Sequence, residues 1–179
     1  ASNFISSIAW SRKPFGIPTF HFKRNKPAAQ ESKNTVRCYS TGRTIYYIDR
    51  DLIAKNKDKI DCYKIVAPKA YGKGMSRCTL PKDQVFFLDK GEISTETYNV
   101  IGCFDSKAEA ENFQLYLQTN FARYLLGLRK LTQDIPKDRW NWVPLLDLQT
   151  KWTDEKLADY FGLTEKEREH IRKKVEEWS

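Results

Sequence analysis

The period of the hydrophobic pattern changes near residue 105, and this change restricts the fold more than any other feature of the sequence. Before it, short runs rich in β-branched and aromatic residues are separated by turn residues, which is typical of strands. After it, apolar residues recur at helical spacing, which is typical of an amphipathic helix. Strands followed by helices predict an α+β fold. We expect a mostly antiparallel sheet in the first ~105 residues, then a long amphipathic helix and a tail of short helices.

The strand region contains recognisable turns. Thr41-Gly42 divides VRCYSTGRTIYYIDR into two β-rich runs and predicts a hairpin. Lys90-Gly91 predicts a turn between the strands DQVFFLD and ETYNVIGCF. The run YKIVAP predicts a further strand, and the polar residues 23–35 predict a loop.

One long helix is predicted after residue 105. Asp105 or Ser106 can cap its start, and Glu109 can complete a capping box. Arg123 and Lys130 lie on the face opposite to an apolar stripe, which we expect to pack into the core. The stripe comprises Phe113, Leu117, Phe121, Leu125 and Leu128.

The tail, residues 144–179, predicts two short helices joined at Gly162 and packed on a single domain that covers residues 1–179. The spacing of Ala158 and Gly162 also fits a helix–turn–helix. However, Arg168 occupies the position that packs between the helices of that motif, and Glu165 and Glu167 would point carboxylates at DNA. Acidic residues at a helix start are ordinary capping residues, so a structural role is favoured over DNA reading.

The cysteines and histidines do not predict a metal site. Cys38, Cys62, Cys78 and Cys103 lie far apart without a CxxC pair, and the chain has only two histidines. Zinc ligands cluster at short spacing. We therefore expect reduced, mostly buried thiols in a cytoplasmic protein. A run of ~18 apolar residues that would predict a membrane span is missing, as is a secretion leader.

Charge is divided unevenly along the chain, whose net charge is +8. Residues 1–80 carry 16 basic and 5 acidic side chains, whereas residues 81–179 carry 15 and 18. This division predicts that one face meets a polyanion while the other faces solvent or a partner domain. A solvated basic surface is the alternative explanation.

Three segments combine basic and aromatic side chains: AWSRKPFG at 9–16, KIVAPKAYGKG at 64–74 and LRKLTQDIPKDRWNW at 128–142. Arginine and glutamine can bind purine edges, lysine binds phosphate, and aromatic rings can stack on an extruded base. Trp140 and Trp142 can also be explained as anchors that hold their loop in the core. The candidate DNA-contacting residues are Arg12, Lys13, Arg43, Lys69, Tyr71, Lys73, Arg129, Lys130, Gln133, Lys137 and Arg139.

The sequence has no P-loop, no GxSxG hydrolase motif and no dinucleotide motif, and no catalytic residue is predicted. Metal-dependent nucleases use spaced acids followed by a lysine. Glu31-Ser32-Lys33, Asp105-Ser106-Lys107 and Asp154-Glu155-Lys156 fit that short pattern. In a chain with 30% charged residues such matches arise by chance. An autonomous nuclease is therefore the third of our functional hypotheses.

Four segments that follow one another in order give the chain a family resemblance. They are AWSRKPFG, DRDLIAKNKDKIDCYKIVAPKAYGKG, TETYNVIGCFDSKAEAENFQLYLQTNFARYLL and LRKLTQDIPKDRWNWVPLLDLQTKWTDEKLADYFGLTEKE. Together they resemble the C-terminal target-recognition region of TaqI-like adenine-specific DNA methyltransferases from bacterial type II restriction–modification systems. The resemblance covers nearly the whole chain, is weakest at residues 20–40 and is most specific at residues 128–167.

The resemblance implies sequence-specific recognition of double-stranded DNA. In that family an Asn/Asp-Pro-Pro-aromatic tetrapeptide binds the target adenine, and a glycine-rich site binds S-adenosylmethionine. This sequence has no Pro-Pro pair, so catalysis and the cofactor are expected in an upstream catalytic domain, which is the expected protein partner. The start at Ala1 and the single methionine, Met75, fit an excised piece of a longer protein.

A second hypothesis comes from a different class of function. The acidic C-terminal half could dock another subunit of a restriction–modification system, such as an endonuclease. The basic N-terminal half would then be solvated surface.

Overall fold

The computed structural model describes residues 4–10, 12–24, 31–70, 79–128 and 134–179 of the chain. Within these ranges, strands precede residue 105 and four of the five α-helices follow it, which confirms the predicted α+β class. The strands are β1 (Thr35–Tyr39), β2 (Ile45–Asp49), β3 (Tyr63–Pro68), β4 (Phe86–Leu88), β5 (Glu92–Ser94) and β6 (Tyr98–Phe104). The helices are α1 (His21–Arg24), α2 (Lys107–Leu117), α3 (Asn120–Leu128), α4 (Asp154–Phe161) and α5 (Glu165–Trp178).

The strands form two three-stranded sheets, with the orders β2-β1-β5 and β4-β3-β6. β1 and β2 are the predicted hairpin, and a 3₁₀ turn at Thr41–Arg43 joins them. The sequence did not predict β5, which follows the turn at Gly91 and pairs with β1 in parallel. A strand of three residues is too short to show an alternating pattern. The second sheet is antiparallel throughout.

The β4-β3-β6 sheet lies between two hydrophobic cores. On one face, Ile65 and Ala67 pack in a core that also contains buried side chains of α2 and α3. On the other face, Val66 and Val100 pack with side chains of the β2-β1-β5 sheet. Successive side chains of a strand point to opposite faces, so a sheet covered on both sides needs nearly continuous apolar strands. The tail reaches the first core through Leu157, which is fully buried.

The predicted single long helix is wrong, because α2 ends at Leu117 and α3 begins at Asn120. The Asp154 carboxylate accepts hydrogen bonds from the backbone nitrogens of Asn120 at 3.1 Å and Phe121 at 2.9 Å. The Thr119 hydroxyl accepts a third, from Ala122 at 3.2 Å. Side chains that satisfy free N–H groups stabilise a new helix start, and this one requires the tail.

Two further predictions about this region fail. Leu128, the last member of the predicted apolar stripe, is 47% exposed. Arg123, which we placed on the opposite face, is buried and donates to the Leu80 carbonyl at 2.7 Å and the Ser179 hydroxyl at 3.0 Å. The Ser106 cap is confirmed, since its hydroxyl accepts from the Glu109 nitrogen. The Glu109 side chain instead accepts a hydrogen bond from Gln149 at 2.6 Å.

Cys62 and Cys103 form a disulfide that joins the residue before β3 to β6. The expected reduced thiols are therefore wrong for this pair. Cys38 is free and buried, and burial raises the pKa of its thiol to about 12. Cys78 lies outside the described residues. Disulfides are rare in the cytosol, so the cytoplasmic location stays a prediction that this bond does not favour.

Lys64 on β3 is a charged residue with no exposed surface. Its ammonium donates to the carbonyls of Ile60 and Cys62, each at 2.7 Å, and of Lys59 at 3.3 Å. Three acceptors match the three donors of an ammonium group. Burial nevertheless lowers the pKa of Lys64 to about 8. The residue ties the turn at 57–62 to the sheet.

Within the described ranges, none of the helices has both the length and the apolar composition that a bilayer crossing requires.

We expect Lys64 to make the folded protein more stable as the pH rises from about 8, its pKa in the fold, to 10.5, the ordinary pKa of a lysine side chain. In this window the unfolded chain holds a proton that the folded chain releases, so the free energy of unfolding rises with pH. Urea unfolding of wild type and Lys64→Met across this range measures the effect. The variant should lack the rise, and parallel pH curves for the two proteins would contradict the assignment.

Loss of the Cys62–Cys103 disulfide should lower the free energy of unfolding by up to ~4 kcal/mol, because the bond closes a loop with a sequence separation of 41. The comparison is wild type with and without reductant, beside a Cys62→Ser, Cys103→Ser double variant. Reductant should destabilise wild type and leave the double variant unchanged. The chain has four cysteines, so four free thiols in the unreduced protein, counted by alkylation and mass spectrometry, would contradict the bond.

Candidate nucleic-acid interface

Main-chain hydrogen bonds bring three distant segments to the first residues of β6. The Trp10 nitrogen donates to the Val100 carbonyl, and the Lys69 nitrogen donates to the Thr97 carbonyl, both at 2.9 Å. The Ile135 nitrogen donates to the Lys69 carbonyl at 2.7 Å. These bonds place parts of the three basic and aromatic segments of the sequence next to one another.

The N-terminal residues and the third of these segments border an open depression of about 470 Å³. One wall comes from the N-terminal segment and the other from the 3₁₀ helix Lys137–Trp142. The Ile5 nitrogen donates to the Val143 carbonyl at 2.9 Å and holds the two walls together. The depression is lined by Ser6, Ser7, Arg12, Pro136, Lys137, Asp138 and Asn141.

The long polar side chains of this depression keep unused hydrogen-bonding capacity. Within the described ranges, Arg12, Lys137, Asp138 and Asn141 form no side-chain hydrogen bond or ion pair, and all four are exposed. A cation without an acidic partner keeps its charge for an external anion. The depression therefore presents two cations, one carboxylate and one amide to a ligand.

Other predicted contact residues are engaged within the chain. Lys13 adopts a positive φ of 55°, and its ammonium nitrogen lies 3.8 Å from the buried carboxylate of Glu96. The guanidinium of Arg43 lies 4.4 Å above the ring of Phe86 and donates to the Asp83 carbonyl. Because these contacts must be broken or shared before DNA could use them, Lys13 and Arg43 are weaker candidates than Arg12 and Lys137.

Lys69 is half-buried and sits where β3 meets residues 134–135. In the described part its ammonium makes no ion pair. Arg139 is half-buried in the 3₁₀ helix and has partners of its own in the chain. Five predicted contact residues lie outside the described ranges: Tyr71, Lys73, Arg129, Lys130 and Gln133.

The two tryptophans of the 3₁₀ helix differ in environment. Trp140 is 2% exposed and belongs to the core that contains α2 and α3, which confirms its predicted role as an anchor. Trp142 is 46% exposed, so the same prediction is wrong for it. In a 3₁₀ helix three residues make one turn. The buried Trp140 therefore fixes which side chains of this turn face outward.

Asp138, Asn141, Ser6 and Ser7 line the depression but were not among the predicted contact residues. Asp138 and Asn141 have a sequence signal in retrospect, because both flank Trp140 within the segment that we identified as basic and aromatic. Ser6 and Ser7 have none. Their position depends on a bond between residues 5 and 143, which no local pattern specifies.

In the tail, two charged residues at the start of α5 have partners within the chain. Arg168 donates to the Leu163 carbonyl at 3.2 Å and to the Asp159 carboxylate at 2.8 Å, which braces the turn between α4 and α5. Glu167 forms a capping box with Thr164, which confirms its capping role. Residues 144–179 carry nine acidic and seven basic side chains. This composition favours a structural role for the tail over contact with phosphate.

The acids of the acid–lysine segments are not gathered into a metal-binding group in the described part of the chain. Asp154 caps α3, as described above. Residues 4–10, 12–24, 31–70, 79–128 and 134–179 contain no group of three or more acidic, histidine or cysteine side chains placed to hold a metal ion.

No protein-family model matches the chain. Comparison with curated proteins and with solved structures gives no significant match either. The resemblance to methyltransferase target-recognition regions therefore stays a prediction, and the site geometry carries the functional argument.

Trp140→Ala should destabilise the protein by about 3–5 kcal/mol, because it removes a large buried side chain from the core. Trp142→Ala is the matched control in the same helix, and we expect less than half of that loss because its ring is half-exposed. Urea unfolding of both variants makes the comparison. Equal losses would mean that the 3₁₀ helix is not oriented as described.

Proposed function

We propose that this chain recognises double-stranded DNA in a sequence-specific manner, as the specificity module of an adenine-specific, S-adenosylmethionine-dependent DNA methyltransferase of a restriction–modification system. The observation that supports this most is the depression in which Arg12 and Lys137 lie without acidic partners beside Asp138 and Asn141. Cations next to side chains with free donors and acceptors are what a surface that binds phosphate and reads bases requires.

The two kinds of contact would have different effects. Arg12 and Lys137 would bind backbone phosphates and orient the duplex, which contributes affinity without sequence preference. The neighbouring Lys69 can extend this contact, since it lies at the same end of the sheet. Neutral and acidic side chains between the cations would then face base edges.

Catalysis is assigned to another part of the parent protein. The basis is the resemblance together with the missing Pro-Pro tetrapeptide. The catalytic domain upstream would bind S-adenosylmethionine and the target adenine, and this module would set the sequence at which that adenine is methylated.

Docking of a partner protein is the second candidate, and one observation favours it. Tyr160 is 64% exposed on α4, where it contacts Trp152 and Phe161 edge-on at 5.2 and 5.0 Å. Exposed aromatic side chains are enriched in protein interfaces. Here α4 and α5 would bind another subunit of the system, while the depression on the basic side would have no ligand.

Arg12→Ala, Lys69→Ala and Lys137→Ala together should weaken duplex binding and make it less dependent on salt. Three lost phosphate contacts should make the slope of log affinity against log salt shallower by about 2 to 3. Fluorescence anisotropy with a labelled random duplex at several salt concentrations measures this slope.

The matched control replaces three exposed lysines of the tail, Lys151, Lys166 and Lys173, by alanine. It changes the net charge by the same amount and should leave the slope unchanged. Equal effects of the two triple variants would mean that the change in slope comes from net charge and not from contacts in the depression. If micromolar wild type fails to bind duplex at low salt, the docking hypothesis replaces the DNA hypothesis.

A further inference from the structure

The 3₁₀ helix Lys137–Trp142 carries a carboxylate, Asp138, and an amide, Asn141, on one face. Asp138 and Asn141 are three residues apart, and residues at this spacing eclipse one another in a 3₁₀ helix. Both side chains line the same depression and both are exposed. The face they form is therefore a single row that points into the depression.

Neither side chain has a structural task within the described ranges. No side chain caps the 3₁₀ helix at its first turn, although Asp138 lies there. Within the described ranges the Asn141 side chain forms no hydrogen bond, and the Asp138 carboxylate forms neither a hydrogen bond nor an ion pair, although both share the depression with Arg12 and Lys137. Because the Asp138 carboxylate is not paired with Arg12 or Lys137, it is available to a ligand that carries hydrogen-bond donors.

The charge of Asp138 also indicates which part of a duplex it can face. A carboxylate repels phosphate, whereas it can accept a hydrogen bond from the amino group of cytosine. Arg12 and Lys137 attract phosphate from the same depression. A duplex satisfies both conditions when its backbone passes the cations and its base edges face Asp138.

We propose that Asn141 and Asp138 are base-reading residues, with Asn141 binding adenine and Asp138 binding the amino group of cytosine in the major groove. An asparagine amide can bind adenine in a bidentate manner, which no other base allows. This inference rests on the proposed DNA-binding function and adds to it the side chains that discriminate between bases.

The rise of the 3₁₀ helix gives an expected spacing for the two bases. A 3₁₀ helix rises about 2.0 Å per residue, so the two side chains start about 6 Å apart along its axis. Base pairs in a duplex are stacked at about 3.4 Å. With the axis of the 3₁₀ helix placed parallel to the duplex axis, this separation spans about two base-pair steps, so the proposal predicts an adenine and a cytosine two positions apart.

The buried Trp140 makes the row rigid. It lies between Asp138 and Asn141 in sequence and points into the core. Base discrimination requires fixed donors and acceptors, and a helix turn anchored by a core tryptophan provides them.

The test is selection of bound duplexes from a random library by the full chain, followed by sequencing. Wild type should enrich a short motif that contains an adenine and a cytosine two positions apart. Asn141→Ala should lose the adenine preference by about 5- to 150-fold and keep the rest of the motif. Asp138→Ala should lose the cytosine preference to a similar extent.

Asp138→Asn gives a sharper readout, because an amide in place of the carboxylate should change the preferred base at that position from cytosine to adenine. Both side chains are exposed and form no hydrogen bond or ion pair in the described part, so the variants should unfold at the wild-type temperature. The Arg12, Lys69 and Lys137 triple variant is the control, and it should weaken all sequences and keep the motif.

The failure of this inference is distinct from the failure of the DNA-binding function. If wild type selects a motif that all single variants retain, other side chains read the bases and the proposed function stands. If wild type binds duplex without any motif, both base assignments are overturned. If wild type does not bind duplex at low salt, the DNA-binding function itself fails.

Discussion

The antiparallel pairing of β3 with β6 is the interaction on which the other features depend. Each of the two strands has one face in each core, so both cores lose a wall if the pair separates. The register shifts between Ile65 and Val66, which leaves an extra residue on β6 beside Gly102. A Cβ at Gly102 would lie 2.5 Å from the ring of Phe104, so the ring occupies the space that a larger side chain would need.

Five basic side chains differ in burial and in their hydrogen-bond or ring partners within the chain. Lys64 and Arg123 are buried and hold turns or helix ends through carbonyl oxygens. Arg43 is exposed but committed to neighbours within the chain. Arg12 and Lys137 alone among these five are exposed without such partners.

The tail stabilises the site indirectly. Asp154 on α4 caps the start of α3, and Leu157 packs in the core that also holds Trp140. Tyr116 of α2 donates to the Pro144 carbonyl at 2.9 Å, directly after the 3₁₀ helix and Val143. The helices thus hold the buried side of the 3₁₀ helix in place, and its opposite side remains exposed. The base readout that we propose would need this division, because readout depends on side chains that do not move when a ligand arrives.

The sequence by itself determined the order of strands and helices, the β1–β2 hairpin and the basic character of the segments that carry Arg12, Lys69 and Lys137. These features depend on local periodicity and turn residues, which act over a few positions. Only the tertiary structure decided that the predicted long helix is two helices, that Cys62 meets Cys103, that Arg123 is buried, and that Asp138 and Asn141 share a depression with Ser6 and Ser7. Each of these depends on partners between 33 and more than 100 residues away, and the pairing of such distant groups is set by the whole fold rather than by any local pattern.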